Sequence, residues 1–191
     1  MAATITNSHL AGLLERVEAQ KGRARRIAGD LSDVQLRWVP PEGGWGVGMI
    51  LEHLVLSAEM YYDIIPARIA DARAKGLTAE NPEWKRTFFG GFLIKGLKGL
   101  RKFKTTRRFI AQDIGQNVVH RFCEAQDTMM GFMRDADGID LNRVKVKSPV
   151  LSLIGYNLAD TFAVHTVHND RHLNRAEEVT EMADFPAAAT V

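Results

Sequence analysis

Apolar residues in this chain recur at steps of three and four and show no convincing alternation, a pattern that helices bury on one face and strands do not. Leu10, Leu13, Leu14, Val17, Ala24, Ile27, Ala28 and Leu31 form the first stripe, with Ser8 as its expected N-cap. A second runs from Val47 to about Ala74 through Ile50, Leu51, Leu54, Ala58, Tyr61, Ile64 and Ile65, and Pro66 is expected to kink it by removing one hydrogen bond. The third reads Ile114, Val118, Phe122, Ala125, Met129, Phe132 and Ala136 and stops near Gly138. The fourth is predicted to open with Ser148 as N-cap and Pro149 at the first helical position. Short to moderate links join the first helix to the second and the third to the fourth, whereas roughly thirty residues separate the middle pair. That gap, about residues 76–109, is long enough to cross back along a bundle, so the second and third helices are expected to run parallel in an all-α fold.

A chain of 191 residues, 46% apolar and 25% charged, fits one soluble domain over 1–191. Neither a basic-then-apolar leader nor a run of eighteen uncharged apolar residues occurs, and a cytoplasmic protein is expected. Cys123 is the single cysteine, which excludes an intramolecular disulfide and cysteine-rich zinc motifs and reads as a buried thiol.

The formal charge of +2 hides a local asymmetry. Nine of the 25 cations lie between Lys85 and Arg108 with no acid among them, leaving 16 elsewhere against all 23 acids. No recognition motif accompanies this segment, so nucleic-acid binding is not expected. A helix there would be amphipathic, with Phe92, Leu93, Leu97, Leu100 and Phe103 interleaved with cations, as in membrane-surface or anion-binding elements. The expected arrangement is a crossover that buries its apolar side on the bundle and extends its lysines to water, so membrane contact is not expected.

Three of the six histidines fall within eight residues, in HTVHNDRHLNR, and they occupy core positions of the fourth stripe: Leu151, Ile154, Leu158, Phe162, His165, His168, His172, Ala176 and Val179. At about 100° per residue, His165 and His172 lie within about 60° and 40° of His168, and Asn157, Thr161 and Arg175 share that side. An unpaired buried imidazole costs on the order of 1–3 kcal/mol, so three need a shared explanation. Metal coordination supplies one: two histidines one turn apart, at i and i+4, with a third from another helix. His53, flanked by Ile50 and Leu54, is the favoured third ligand, with Met49, Leu56, Ser57 and Met60 along the nearby wall. His120 points away from its apolar stripe, and His9 sits beside a cap near the terminus. A carboxylate-bridged di-iron centre would need Glu three residues before a ligating histidine. Ile50, Asn117, Phe162, His165 and Asn169 stand before His53, His120, His165, His168 and His172 instead.

The segment WVPPEGGWGVGMILEHL, from Trp38 to Leu54, resembles the W-x-P…W-S…H-L region of the DinB-like (YfiT-like) superfamily of metalloenzymes, and HNDRHL, from His168 to Leu173, resembles its C-terminal H-x₃-H-L signature. Asp140 to Pro149 sits where that family often carries a proline before its last helix, and the likeness extends from about residue 10 to 180. The resemblance implies an up-down-down-up four-helix bundle, often dimeric, with a divalent metal held by His53, His168 and His172. Geometry alone would also allow His165 with His168; on the family pattern His165 lies beside the ligands or lines the pocket with Asn157, Thr161 and Arg175. Zinc is the expected ion, with nickel or iron as alternatives.

Members with known activity resemble thiol-dependent S-transferases and isomerases, with a low-molecular-weight thiol as cosubstrate, and others look like hydrolases. The nucleophile implied is a metal-bound water or thiolate rather than a side chain. Two departures stand out. Gly46 replaces the serine that often follows the second tryptophan, and Arg175 stands where glutamine is often found, which favours a small anionic substrate. The alternatives to an enzyme are a bundle that metal only stabilises and an anion- or membrane-surface-binding protein.

Overall fold

A computed structural model describes residues 4–99, 113–149 and 154–187. The described chain is mostly helical, in keeping with the all-α expectation, with helices α1 (Ser8–Ala28), α2 (Asp33–Arg37), α3 (Val47–Glu59), α4 (Ile64–Ala74), α5 (Phe88–Lys98), α6 (Val118–Asp135) and α7 (Leu158–Thr180), plus two three-residue strands, β1 (Lys145–Lys147) and β2 (Gly155–Asn157). Helix α1 packs on α6 and α7, and α3 packs on the same two helices, so the four close a ring around the core.

Two apolar clusters fill the ring. One joins the start of α1 (Leu10, Leu14, Val17) to the start of α7 (Leu158, Phe162), the end of α6 (Met129, Met133) and α4 (Ile65, Ile69). The other joins the end of α1 (Ala24, Ala28) to the end of α7 (Leu173, Val179), the start of α6 (Val118, Phe122) and the start of α3 (Val47, Ile50). Between them lies a polar layer. The Gln126 side chain carbonyl meets His165 Nε2 at 2.9 Å and accepts from Asn169 Nδ2 at 2.7 Å. Gln20 Nε2 donates to the Thr166 carbonyl at 2.8 Å and to Asp170 Oδ1 at 2.5 Å. These bonds link α1, α6 and α7 across the layer and set their register, although Gln126 Nε2 and Asn169 Oδ1 are left buried without a partner.

Several sequence expectations shift. Asn7, not Ser8, caps α1: its Oδ1 accepts from Leu10 N at 3.1 Å, while Ser8 bonds to Asn81. The second apolar run is two helices broken at residues 60–63, and Pro66 sits in the first turn of α4, where its missing N–H has no helical partner to lose. The fourth helix opens at Leu158 rather than Pro149, with Asn157 as N-cap (Oδ1 to Asp160 N, 2.7 Å).

Upstream of α7, Lys145–Lys147 pairs antiparallel with Gly155–Asn157, Val146 opposite Tyr156. Val144 and Val146 turn inward while Lys145 and Lys147 turn out, a period of two that overrides the serine–proline start signal. Ser148 N donates to the Ile154 carbonyl at 2.8 Å, and the Tyr61 and Tyr156 hydroxyls meet at 2.9 Å, tying the hairpin to the α3–α4 break. Leu151 falls outside the described residues.

The crossover is anchored at its start. The buried Asp160 carboxylate accepts from Trp84 Nε1 (3.0 Å), Thr87 N (2.9 Å) and Thr87 Oγ1 (2.6 Å), and Gly90 packs so closely on it that a Cβ would stand 2.2 Å from Oδ2. Ile94 and Leu97 of α5 then press on Ala163, Val164 and Val167 of α7. At the far end of α5, Arg171 Nη1 donates to the carbonyls of Leu97 (3.0 Å) and Gly99 (2.5 Å). Leu100 to Arg108 of the basic segment lie outside the described residues.

Candidate metal centre

His53 lies mid-way along α3 and is buried; His168 and His172 lie one turn apart on α7 and are half-buried. The α3–α7 packing brings them together. Each offers a ring nitrogen within 4.8 Å of the others, and among the described residues no other group of histidine, cysteine or carboxylate side chains is so arranged. Ring centroids are 5.0 Å apart for His53 and His168, 4.7 Å for His53 and His172, and 4.5 Å for His168 and His172.

His53 Nε2 and His168 Nε2 stand 3.2 Å apart. Two nitrogens bound to one tetrahedral ion at about 2.0–2.1 Å would be about 3.3 Å from each other, so this pair already has the spacing of a tetrahedron's edge. Burial, the His172 and His53 imidazoles and Arg171 all push His168 well below the ordinary histidine range, and burial pushes His172 down as well. Both are therefore neutral near pH 7, the form that coordinates metal. The residues fit a divalent ion of the kind imidazole accepts, and no thiolate or carboxylate joins the set.

Neighbouring groups hold these rings in place. Trp45 lies on His53 at 4.7 Å and stacks on His172 at 5.8 Å, covering one side of the cluster. Beside His53 in sequence, the buried Glu52 takes a two-pronged ion pair from Arg121 (2.8 and 2.7 Å) and a bond from Gly115 N (3.0 Å), which fixes α3 against α6. Neither role was readable from periodicity, because both depend on which helices meet. Trp45 carried a signal only as part of the family-like segment.

The other sequence candidates are placed elsewhere. His165 is buried in the polar layer with Gln126 and Asn169. Asn157 caps α7 and donates through Nδ2 to the Lys85 carbonyl at 2.8 Å; Thr161 bonds back to the Asn157 carbonyl at 3.0 Å. Arg175, partly exposed, pairs with Glu178 at 3.0 Å. Met49 packs against the same apolar cluster as Trp45, and Met60 against the other. His9 stacks on Trp84 at 4.3 Å, and the largely exposed His120 lies 3.2 Å from Glu124. Cys123 is buried, and burial pushes its thiol up, against a nucleophilic role.

His165 carries a pH prediction. Burial holds it at about 4, below the usual 6.5. Between those values the unfolded chain binds the proton and the folded chain does not, so the stability His165 contributes falls as pH drops from about 6.5 to 4 and its loss is complete below. The full shift corresponds to about 3 kcal/mol. His165→Gln keeps a polar partner for Gln126 and is expected to flatten that part of the profile of urea midpoint against pH, measured with chelator present. A profile parallel to the wild type would remove His165 as the cause.

No curated protein and no solved structure matches the chain significantly. A family model does, that of the DinB superfamily, and its match over residues 16–176 takes in α3, most of α7 and all three converging histidines. With the two histidine-bearing segments inside the matched region and the match covering most of the sequence, the chain belongs to the DinB superfamily.

Proposed function

We propose that the protein is a metal-dependent enzyme acting on a small molecule, with a divalent ion held by His53, His168 and His172. The observation that carries this reading is the convergence of three imidazoles from two helices, two of them, His168 and His172, held neutral and only half-buried, so that a ligand has a way in. Zinc is the ion proposed, with nickel or iron as alternatives. A bound divalent ion would supply positive charge to polarise a substrate and to acidify a water or a thiol. Thiol-dependent S-transfer, with a low-molecular-weight thiol as cosubstrate, and hydrolysis are the two reaction classes this chemistry serves.

The chain's own residues supply placement. Trp45 shields one side of the cluster from water, the Glu52–Arg121 pair fixes α3, and the Gln20–Gln126–Asn169 layer fixes α7, so the imidazoles face one another without rearrangement. Arg175, engaged with Glu178, offers no preset anion clamp, and an anionic substrate group would have to compete for it.

The ends matched by the two core clusters support an up-down-down-up order for α1, the α3–α4 pair, α6 and α7, with the crossover returning the chain between α4 and α6. A homodimer and a cytoplasmic location complete the proposal. No helix among the described residues is long and apolar enough to cross a membrane.

Turnover is the deciding measurement. Protein purified without a nickel column is expected to carry about one divalent ion per chain and to act on at least one electrophile–thiol pair or ester substrate, with activity lost to chelator and restored by the ion. A metal-loaded protein with no chelator-sensitive activity across both panels would reduce the site to a structural one.

A further inference from the structure

Three of the five large hydrophobic side chains most exposed among the described residues crowd onto the first two turns of α5: Phe88 is 82% exposed, Phe89 41% and Phe92 47%. The helix is two-sided. At about 100° per residue, Phe88, Phe92 and Lys95 fall within about 60° of one another. Ile94 and Leu97 lie on the other side, pressed against α7. The crossover thus buries one apolar row, Ile94 with Leu97, and turns a second outward that includes Phe92, a residue its sequence places on the buried side.

Cations surround that outer row. Lys85, Lys95 and Lys98 are exposed, none is in an ion pair among the described residues, and no acid occurs in the sequence from Lys85 to Arg108. Phe88 and Phe89 meet edge to face at 5.4 Å and project from the helix start, while Asp160 and Arg171 hold the two ends of α5 on the body of the protein. Outward phenylalanines flanked by lysines on a short, firmly mounted helix match the chemistry of the interface between anionic headgroups and acyl chains. A second copy of this chain suits the surface poorly, because a symmetric contact would set the same cations against each other.

We propose that the outer face of α5 docks the protein on bilayers containing anionic phospholipid, with Phe88 and Phe89 entering the interface and Lys85, Lys95 and Lys98 meeting headgroup phosphates. The test is co-sedimentation of the full-length, metal-loaded protein with vesicles of phosphatidylcholine alone or mixed with phosphatidylglycerol, at low ionic strength. The wild type is expected to partition at least about tenfold more strongly onto the mixed vesicles, since each cation near an anionic surface is worth about fivefold. Phe88→Ser/Phe89→Ser and Lys95→Glu/Lys98→Glu are each expected to lose about tenfold or more, with an unchanged circular dichroism spectrum and metal content. No partition, equal partition onto neutral vesicles, or full retention in the phenylalanine variant would overturn the proposal; the last would mark a purely electrostatic surface suited to an acidic partner.

Discussion

Replacing His168 or His172 by alanine is expected to abolish stoichiometric metal binding, with affinity falling by more than the roughly 10–100-fold seen when a residue that only orients a ligand is lost. His53→Ala is expected to do the same. His165→Ala should keep affinity within about tenfold, because the His165 ring is spent on Gln126 and Asn169 rather than on the cluster. Metal content by mass spectrometry and titration against a competing chelator measure both. Circular dichroism guards against misfolding, which matters most for His165→Ala because that change strips the buried Gln126 of a partner. Metal loss in the His165 variant alongside retention in His172→Ala would transfer the site one turn down α7. Trp45 gives an independent readout: stacked on His172 and tilted against His53, its emission should change on metal addition, and Trp45→Phe should remove that change without removing the metal.

Gly46→Ser, a change toward the residue the family often carries, is expected to be strongly destabilising here. Gly46 has an ordinary backbone conformation, so strain in φ is not the reason. A Cβ built on it would stand 1.9 Å from the Trp38 carbonyl oxygen and 3.0 Å from its carbon, both backbone atoms that no side-chain rotation can move away. Relieving the overlap means shifting the strap between Trp38 and α3, the segment that lays Trp45 on the histidines. A cost of about 2–4 kcal/mol follows, a fall in Tm of roughly 5–15 °C for a chain of this size, with weakened metal affinity as a second sign. Gly131→Ala is the control. It lies inside α6 with nothing within 4 Å of its Cβ position, and should leave Tm unchanged or raise it slightly. A Gly46→Ser protein melting within about 2 °C of the wild type would show that the strap yields at little cost.

Helix content and the principal helices were legible in the sequence because steps of three and four are a local property: each stripe of apolar residues must share a face whatever it later meets. The same logic set His168 and His172 one turn apart on α7. Boundaries were less legible. Ser148–Pro149 has the composition of a helix start, yet Val144 and Val146 alternate with Lys145 and Lys147, and pairing with Gly155–Asn157 satisfies backbone groups that a helix there would have to satisfy for itself. At residues 60–63 the apolar pattern runs on while the backbone breaks, because Pro66 starts a new helix more readily than it continues an old one.

The separation of His165 from the other two histidines on its helix belongs to tertiary structure alone. All three share a broad face of α7, and only the neighbours decide what each does: α3 with Trp45 beside His168 and His172, and Gln126 of α6 with Gln20 of α1 around the layer that takes His165. The outward turn of Phe88 and Phe89 is of the same kind, since one amphipathic row of α5 suffices to cover α7 and the other is left to water or to a partner. Local periodicity settles the set of faces from the residues alone; which face meets which was decided by packing between helices far apart in the chain, and the convergence of His53 with His168 and His172 is a product of that packing.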